Sequence, residues 1–184
     1  MKHLFFFFIL TQSLLLFSQD SLFLRQKFLK TQSVANIVLS SWSVGNLIVN
    51  PVLKNNFSTV NTSSSFYFYQ MNFSWNLVNS GISALSYLSL KKAKKNSWNI
   101  VSLNKDIHKV RKSLAINMGL DICYSTFGIL LRSNSLRKNL PMHQYKGFGN
   151  SLILQGGFLF LFDLIYFTAL NSSKNKKVVN LLKK

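Results

Sequence analysis

Four apolar stretches, at about residues 33–50, 69–90, 113–131 and 147–170, each carry polar residues at helical spacing, and with its lead-in the third predicts a helix over 101–131. In the second, Asn72, Asn76, Asn79, Ser83 and Ser86 step by four, three, four and three, which keeps them on one helical face. In the third, Ser113, Asn117, Asp121, Tyr124 and Gly128 follow a similar stepping, after an amphipathic lead-in over 101–112. In the fourth, Gly149, Gly156 and Asp163 recur every seven residues, with Tyr166 three further on. The first has a weaker version in Asn36, Ser40, Ser43 and Asn50, and Pro51 is expected to end it. The connections are an Asn/Ser/Thr-rich loop at 55–65, the basic run after residue 90, and a polar loop at 133–146 that contains Pro141. The pattern predicts an all-α protein, a four-helix bundle with three to four helices crossing a membrane, since about 20 residues span a hydrocarbon core of about 30 Å. A lipid-facing Asn or Asp is costly, so the polar stripes should face one another inside the bundle.

Composition points the same way. Of 184 residues, 48% are hydrophobic and only 14% charged, against roughly 25% charged in a soluble domain. The 22 Lys and Arg outnumber four acids, all Asp, for a net charge of +18. Nucleic acid is one partner such a charge could imply, but the cations cluster between the apolar stretches rather than on them. They sit at Arg25, Lys27 and Lys30, in eight positions over 91–112, at Arg132, Arg137, Lys138 and Lys146, and in five positions of the tail over 171–184. That distribution fits a lipid bilayer with anionic headgroups, not a nucleic-acid groove.

Residues 1–18 have a charged start and an apolar run ending at Phe17-Ser18, so they read as a cleaved signal peptide or a signal anchor, with cleavage favoured. The helical membrane domain is then 19–184. The positive-inside rule puts the 91–112 region and the C-terminus in the cytoplasm, as expected for a multi-pass protein of a bacterial inner membrane. A cleaved signal with four crossings demands the reverse. Either 33–50 lies along the interface, or residues 1–18 are not exported.

Asp121 lies eight residues inside its stretch and Asp163 seven from the end of its own. At 1.5 Å per residue these depths are roughly 12 and 10 Å from the same basic side, so the carboxyls should meet at one level. Such a pair can share a proton, which is chemistry for a proton relay. The alternative is that Asn117, Tyr124, Tyr166 or Gln155 caps each carboxyl and packing is their whole role.

Cys123 is alone, and His3, His108 and His143 are scattered, so no disulfide, metal-ligand set or Cys–His pair can be drawn. Gly156-Gly157 lacks the preceding strand and following Lys-Ser/Thr of a phosphate loop and marks close helix contact instead. No cofactor is implied.

The segment Tyr67-Phe68-Tyr69-Gln70-Met71-Asn72, continuing through Trp75-Asn76-Leu77-Val78-Asn79, resembles the hallmark of an uncharacterised bacterial family. Its members are small multi-helix membrane proteins, found mainly in Bacteroidota and known only as a domain of unknown function. Ser41-Trp42-Ser43-Val44-Gly45-Asn46 is similar to its first-helix signature, and Gly147-Phe148-Gly149 with Gln155-Gly156-Gly157-Phe158 through Asp163 to its last helix. The resemblance covers about 33–170 and implies a helical membrane fold without an established activity. The family has His where this chain has Tyr69, so a His-dependent metal or proton role does not carry over.

The candidate polar-core residues are therefore Asn72, Trp75, Asn76, Asn79, Asn117, Asp121, Tyr124, Gln155, Asp163 and Tyr166. The first expectation is a non-enzymatic structural or accessory membrane bundle. The others are a small transporter or proton-conducting protein using the Asp pair, and an intramembrane enzyme. A homo-oligomer or a membrane partner fits each, because four short helices enclose little volume.

Overall fold

The computed structural model describes the backbone of residues 2–57, 63–135 and 141–171, with side chains from residue 21 onward and not those of 56 and 57. Four helices follow one another: α1 (Lys2–Phe57), α2 (Ser64–Lys95), α3 (Ile100–Asn134) and α4 (Met142–Leu170). No strand forms among the described residues. The fold is all-α, as the spacing predicts, but each helix is longer than its apolar stretch.

The helix ends have local causes. Ser63 accepts a hydrogen bond from the Phe66 amide at 3.2 Å and caps α2. Asn99 and Ser102 form a reciprocal capping box that starts α3. At the C-terminus of α2, Arg25 from α1 donates to the Ala93 carbonyl at 3.2 Å and lies over the Trp98 ring. This places a cation where the helix dipole favours one.

Pro51 does not end α1, contrary to the expectation from sequence; the helix runs on to Phe57. Proline forfeits the bond from its own missing N–H to the carbonyl four residues back, and its ring crowds that carbonyl. That loss falls in the last two turns. The expected cleavage point after Ser18 falls within the continuous α1, among residues whose side chains lie outside the description.

The helices run antiparallel in sequence. α3 packs along α4, α1 along α2, and α2 against α4, while α2 and α3 barely touch despite their short connection. α1 and α3 thus flank a central α2–α4 contact. Glycines set the closest approaches. A Cβ on Gly149 would lie 2.6 Å from the Gly128 carbonyl oxygen, and one on Gly128 would lie 2.7 Å from the Gly149 oxygen. Only hydrogen fits between these backbones.

The interior changes character along the bundle axis. At the basic end Leu24, Phe28, Leu103, Ile107, Leu114 and Leu170 form an apolar core. Beyond it the buried residues of α2 are Asn72, Asn76, Asn79 and Ser83, while Leu77, Val78, Ile82, Leu85 and Leu88 face outward. On α3, Asp121 and Gly128 are buried while Ile116, Ile122, Phe127 and Leu130 are exposed. The apolar-in, polar-out order of a soluble core inverts within one molecule.

Among the described residues two helices, α3 and α4, are long and apolar enough to cross a membrane. Three to four such helices are expected from the sequence, and two have the length and composition. In α2 the Asn and Ser of the inner face lower the average, although the outer face is apolar.

Candidate functional site

Two polar assemblies occupy the interior. In the first, Asn72 is the hub. Its amide donates to Asn46 Oδ1 and to Asn50 Oδ1, both at 2.9 Å, and its Oδ1 accepts from Gln155 Nε2. Trp42 Nε1 donates to Gln155 Oε1 at 3.2 Å while its ring stacks on Phe158 with centroids 3.8 Å apart. Asn76 donates to the Asn72 carbonyl at 2.7 Å. Residues from α1, α2 and α4 are thereby tied at one level, and of the buried amides in the network only Asn76 keeps an oxygen without a partner.

The second assembly surrounds a cavity of about 350 Å³ to which all four helices contribute. Asp121 and Asp163 line it with Trp75, Asn79, Tyr124 and Tyr166. Both carboxyls are buried, 4% and 5% exposed, and each lies within range of the other's charge. Asn117 lines the same space as Asp163, and Asp121 Oδ2 is buried without a hydrogen-bond partner. Asn79 joins the two assemblies, reaching Gln155 Oε1 at 3.5 Å while lining the cavity.

The cavity follows from the seven-residue row on α4. A Cβ on Gly156 would lie 2.7 Å from the Asp121 carbonyl oxygen, so α3 and α4 touch there through backbone. One repeat further, Asp163 occupies the same face among Leu159, Phe162 and Tyr166, and their bulk leaves space instead of contact. The open side faces the seam between α2 and α3. Val78, Ile82 and Ser86 of α2 and Asn117 and Leu120 of α3 line the cavity and are all exposed.

Every candidate residue read from the sequence takes a place in this arrangement. Asn72, Asn76 and Gln155 belong to the network. Trp75, Asn117, Asp121, Tyr124, Asp163 and Tyr166 line the cavity, and Asn79 serves both. Ser86, Ser113 and Asn117 do not lie inside as their stripes predict; they are exposed. The cause is tertiary, since α2 and α3 do not cover each other at the basic end. Of the four proposed caps, Asn117, Tyr124 and Tyr166 line the cavity with the carboxyls, while Gln155 is spent on Asn72 and Trp42. Sequence reasoning left Trp42 and Asn46 out of the candidate set. Their signal was present, because Trp42, Asn46 and Asn50 recur every four residues on one face of α1.

Residues 38–164 match the model of a protein family described as a family of unknown function (DUF6992). The chain belongs to this family. No curated protein and no solved structure matches it. The matched region runs from α1 into α4 and includes both carboxyls, the Asn72 network and the glycine contacts, so the family model covers the polar interior almost entire.

Proposed function

We propose that this protein is a multi-pass membrane protein whose four helices cross the bilayer, and that its central cavity is a binding site for a small solute around Asp121 and Asp163. The observation that carries the membrane reading is the inversion of polarity along the bundle. The apolar core at the basic end suits water outside. The Asn-lined interior with Val34, Ile48, Leu85 and Ile129 facing outward suits hydrocarbon. On α3 the outward apolar positions run from Ile116 to Leu130, about 21 Å of rise, within a hydrocarbon core of about 30 Å.

The basic end meets anionic headgroups. It holds the Arg25, Lys27 and Lys30 region of α1, the lysines ending α2 and those beginning α3. The positive-inside asymmetry puts this end, and the C-terminus of α4, in the cytoplasm of a bacterial inner membrane. In that orientation residues 1–18 are retained rather than exported and cleaved.

Support for a binding role comes from the cavity itself. Interiors built only for packing fill to crystal-like density. Here two buried carboxyls border open space and one oxygen has no partner. The dense Asn72 network favours a second reading, an accessory bundle held together by its polar core.

Two experiments test these readings. Alkaline carbonate should leave the full chain in the membrane pellet, and reporters fused at the 96–99 connection and at the C-terminus should both read cytoplasmic. Release into the supernatant, or a periplasmic readout, would refute the membrane reading or the orientation. Asp121→Asn and Asp163→Asn should retain the fold and lose solute or proton flux in proteoliposomes. Lost stability with no flux to lose would favour the accessory bundle.

A further inference from the structure

The chemistry of the cavity wall selects the ligand. Two carboxyl groups face the space, and among the described residues no Lys, Arg or His lines it. Of the eight buried side-chain polar atoms without a hydrogen-bond partner among the described residues, two belong to residues that line this cavity, Trp75 Nε1 and the acceptor Asp121 Oδ2. An acceptor that is 4% exposed and unpartnered is a defect in a native interior unless something outside the chain supplies a proton donor. The neighbouring walls are aromatic. Trp75 and Tyr124 meet edge to face with centroids 4.9 Å apart across the α2–α3 seam, and Phe162 and Tyr166 stand 6.2 Å apart along α4. Carboxylates combined with aromatic rings attract cations, the first by charge and the second through the ring quadrupole. A volume of about 350 Å³ admits a small organic molecule and exceeds what a bare metal ion needs.

We propose that the cavity binds a small organic ammonium ion, a protonated amine with an apolar or aromatic body, whose N–H groups bond Asp121 and Asp163 while its body lies against Trp75, Tyr124, Phe162 and Tyr166. This rests on the membrane and solute-site reading above. The seam supplies the route, because Ser86 and Asn117 offer a polar side to the amine head and Val78, Ile82 and Leu120 an apolar side to its body. A primary amine partitioned at the bilayer interface matches both. An anion finds no positive partner among the lining residues.

The test uses the full chain in lipid nanodiscs and two probes of nearly equal shape, phenethylamine and 2-phenylethanol, with binding followed by calorimetry at neutral pH. The amine should bind saturably and the alcohol roughly 10- to 150-fold more weakly, the range set by a hydrogen bond to a charged group. Asp121→Asn should weaken the amine by a similar factor and leave the alcohol unchanged, while Asp106→Asn, exposed on α3, should alter neither. The probe pair on the unaltered chain requires no variant to fold. Equal binding of amine and alcohol would overturn the cation assignment and leave a solute site standing. Failure of both probes to bind a membrane-inserted chain would overturn the ammonium site. Failure of the chain to enter the membrane would instead remove the reading beneath it.

Discussion

Gly156 and Gly157 are neighbours on α4, and the same substitution should have opposite effects at the two positions. A Cβ added at 156 would lie 2.7 Å from the Asp121 carbonyl oxygen and 3.0 Å from the Ser125 amide nitrogen, with the Ser125 hydroxyl also in the way. Carbon–oxygen contacts settle at about 3.3 Å or more, so α3 and α4 must part by roughly 0.6 Å. The obstacle is mostly backbone and cannot rotate aside. Overpacking of this kind costs about 1–3 kcal/mol, and the alanine's better helix propensity returns about 0.5–1 kcal/mol. Gly156→Ala should therefore lose about 1–2 kcal/mol. At 157 a Cβ would meet nothing within 4 Å, so Gly157→Ala should be neutral or gain up to about 1 kcal/mol. Thermal unfolding of the purified full chain in one detergent, followed by circular dichroism, reads both. A chain of this size shifts by roughly 2–4 °C per kcal/mol, so the two variants should move the midpoint in opposite directions or separate by several degrees. A Gly156→Ala midpoint at or above that of the unaltered chain would refute the backbone-contact account. So would an equal loss from Gly157→Ala.

Three further outcomes follow from the same contacts. Asn72→Leu removes the amide that joins Asn46, Asn50 and Gln155, and should cost about 2 kcal/mol at roughly 0.6 kcal/mol per interhelical bond plus the orphaned partners; an unchanged unfolding midpoint would show that the network does not hold the bundle. Trp42→Phe keeps the stack on Phe158 and loses the bond to Gln155, so it should cost no more than about 1 kcal/mol, whereas Trp42→Ala should cost about 3 kcal/mol in the same assay. Arg25→Met keeps the apolar stem and forfeits the cap on α2, so it should cost about 0.5–1 kcal/mol, and hydrogen exchange should rise at the Ala93–Lys95 end of α2 if the cap is what holds it.

The four polar stripes were legible because helical periodicity places residues three and four apart on one face whatever the surroundings. Asn72, Asn76, Asn79 and Ser83 could be read as one buried edge from their spacing, and the structure buries them. The same rule failed at Ser113 and Asn117 because a helical face is buried only where a neighbour covers it, and α2 does not cover α3 there. Pro51 misled for a related reason. Its ring disfavours the helix locally, but one lost hydrogen bond near the end of a 56-residue helix is a small fraction of what holds it.

What the amino-acid order determined by itself was helicity, most of the inward edge of each helix, the excess of cations at the end that holds Arg25 and the lysines closing α2, and the approximate common depth of Asp121 and Asp163. Each follows from local geometry or from the cost of placing a polar group against an apolar medium. The tertiary structure alone decided which edges meet. It spends Gln155 on Asn72 rather than on a carboxyl, brings Trp42 and Asn46 into the network, and turns the row Gly149, Gly156, Asp163 from backbone contact into an open cavity. The spacing of that row is uniform along α4. The change in what it touches comes from Asp in place of Gly at 163 and from the bulk of Leu159, Phe162 and Tyr166 around it, which hold the facing helices off and leave a space that only the assembled bundle encloses.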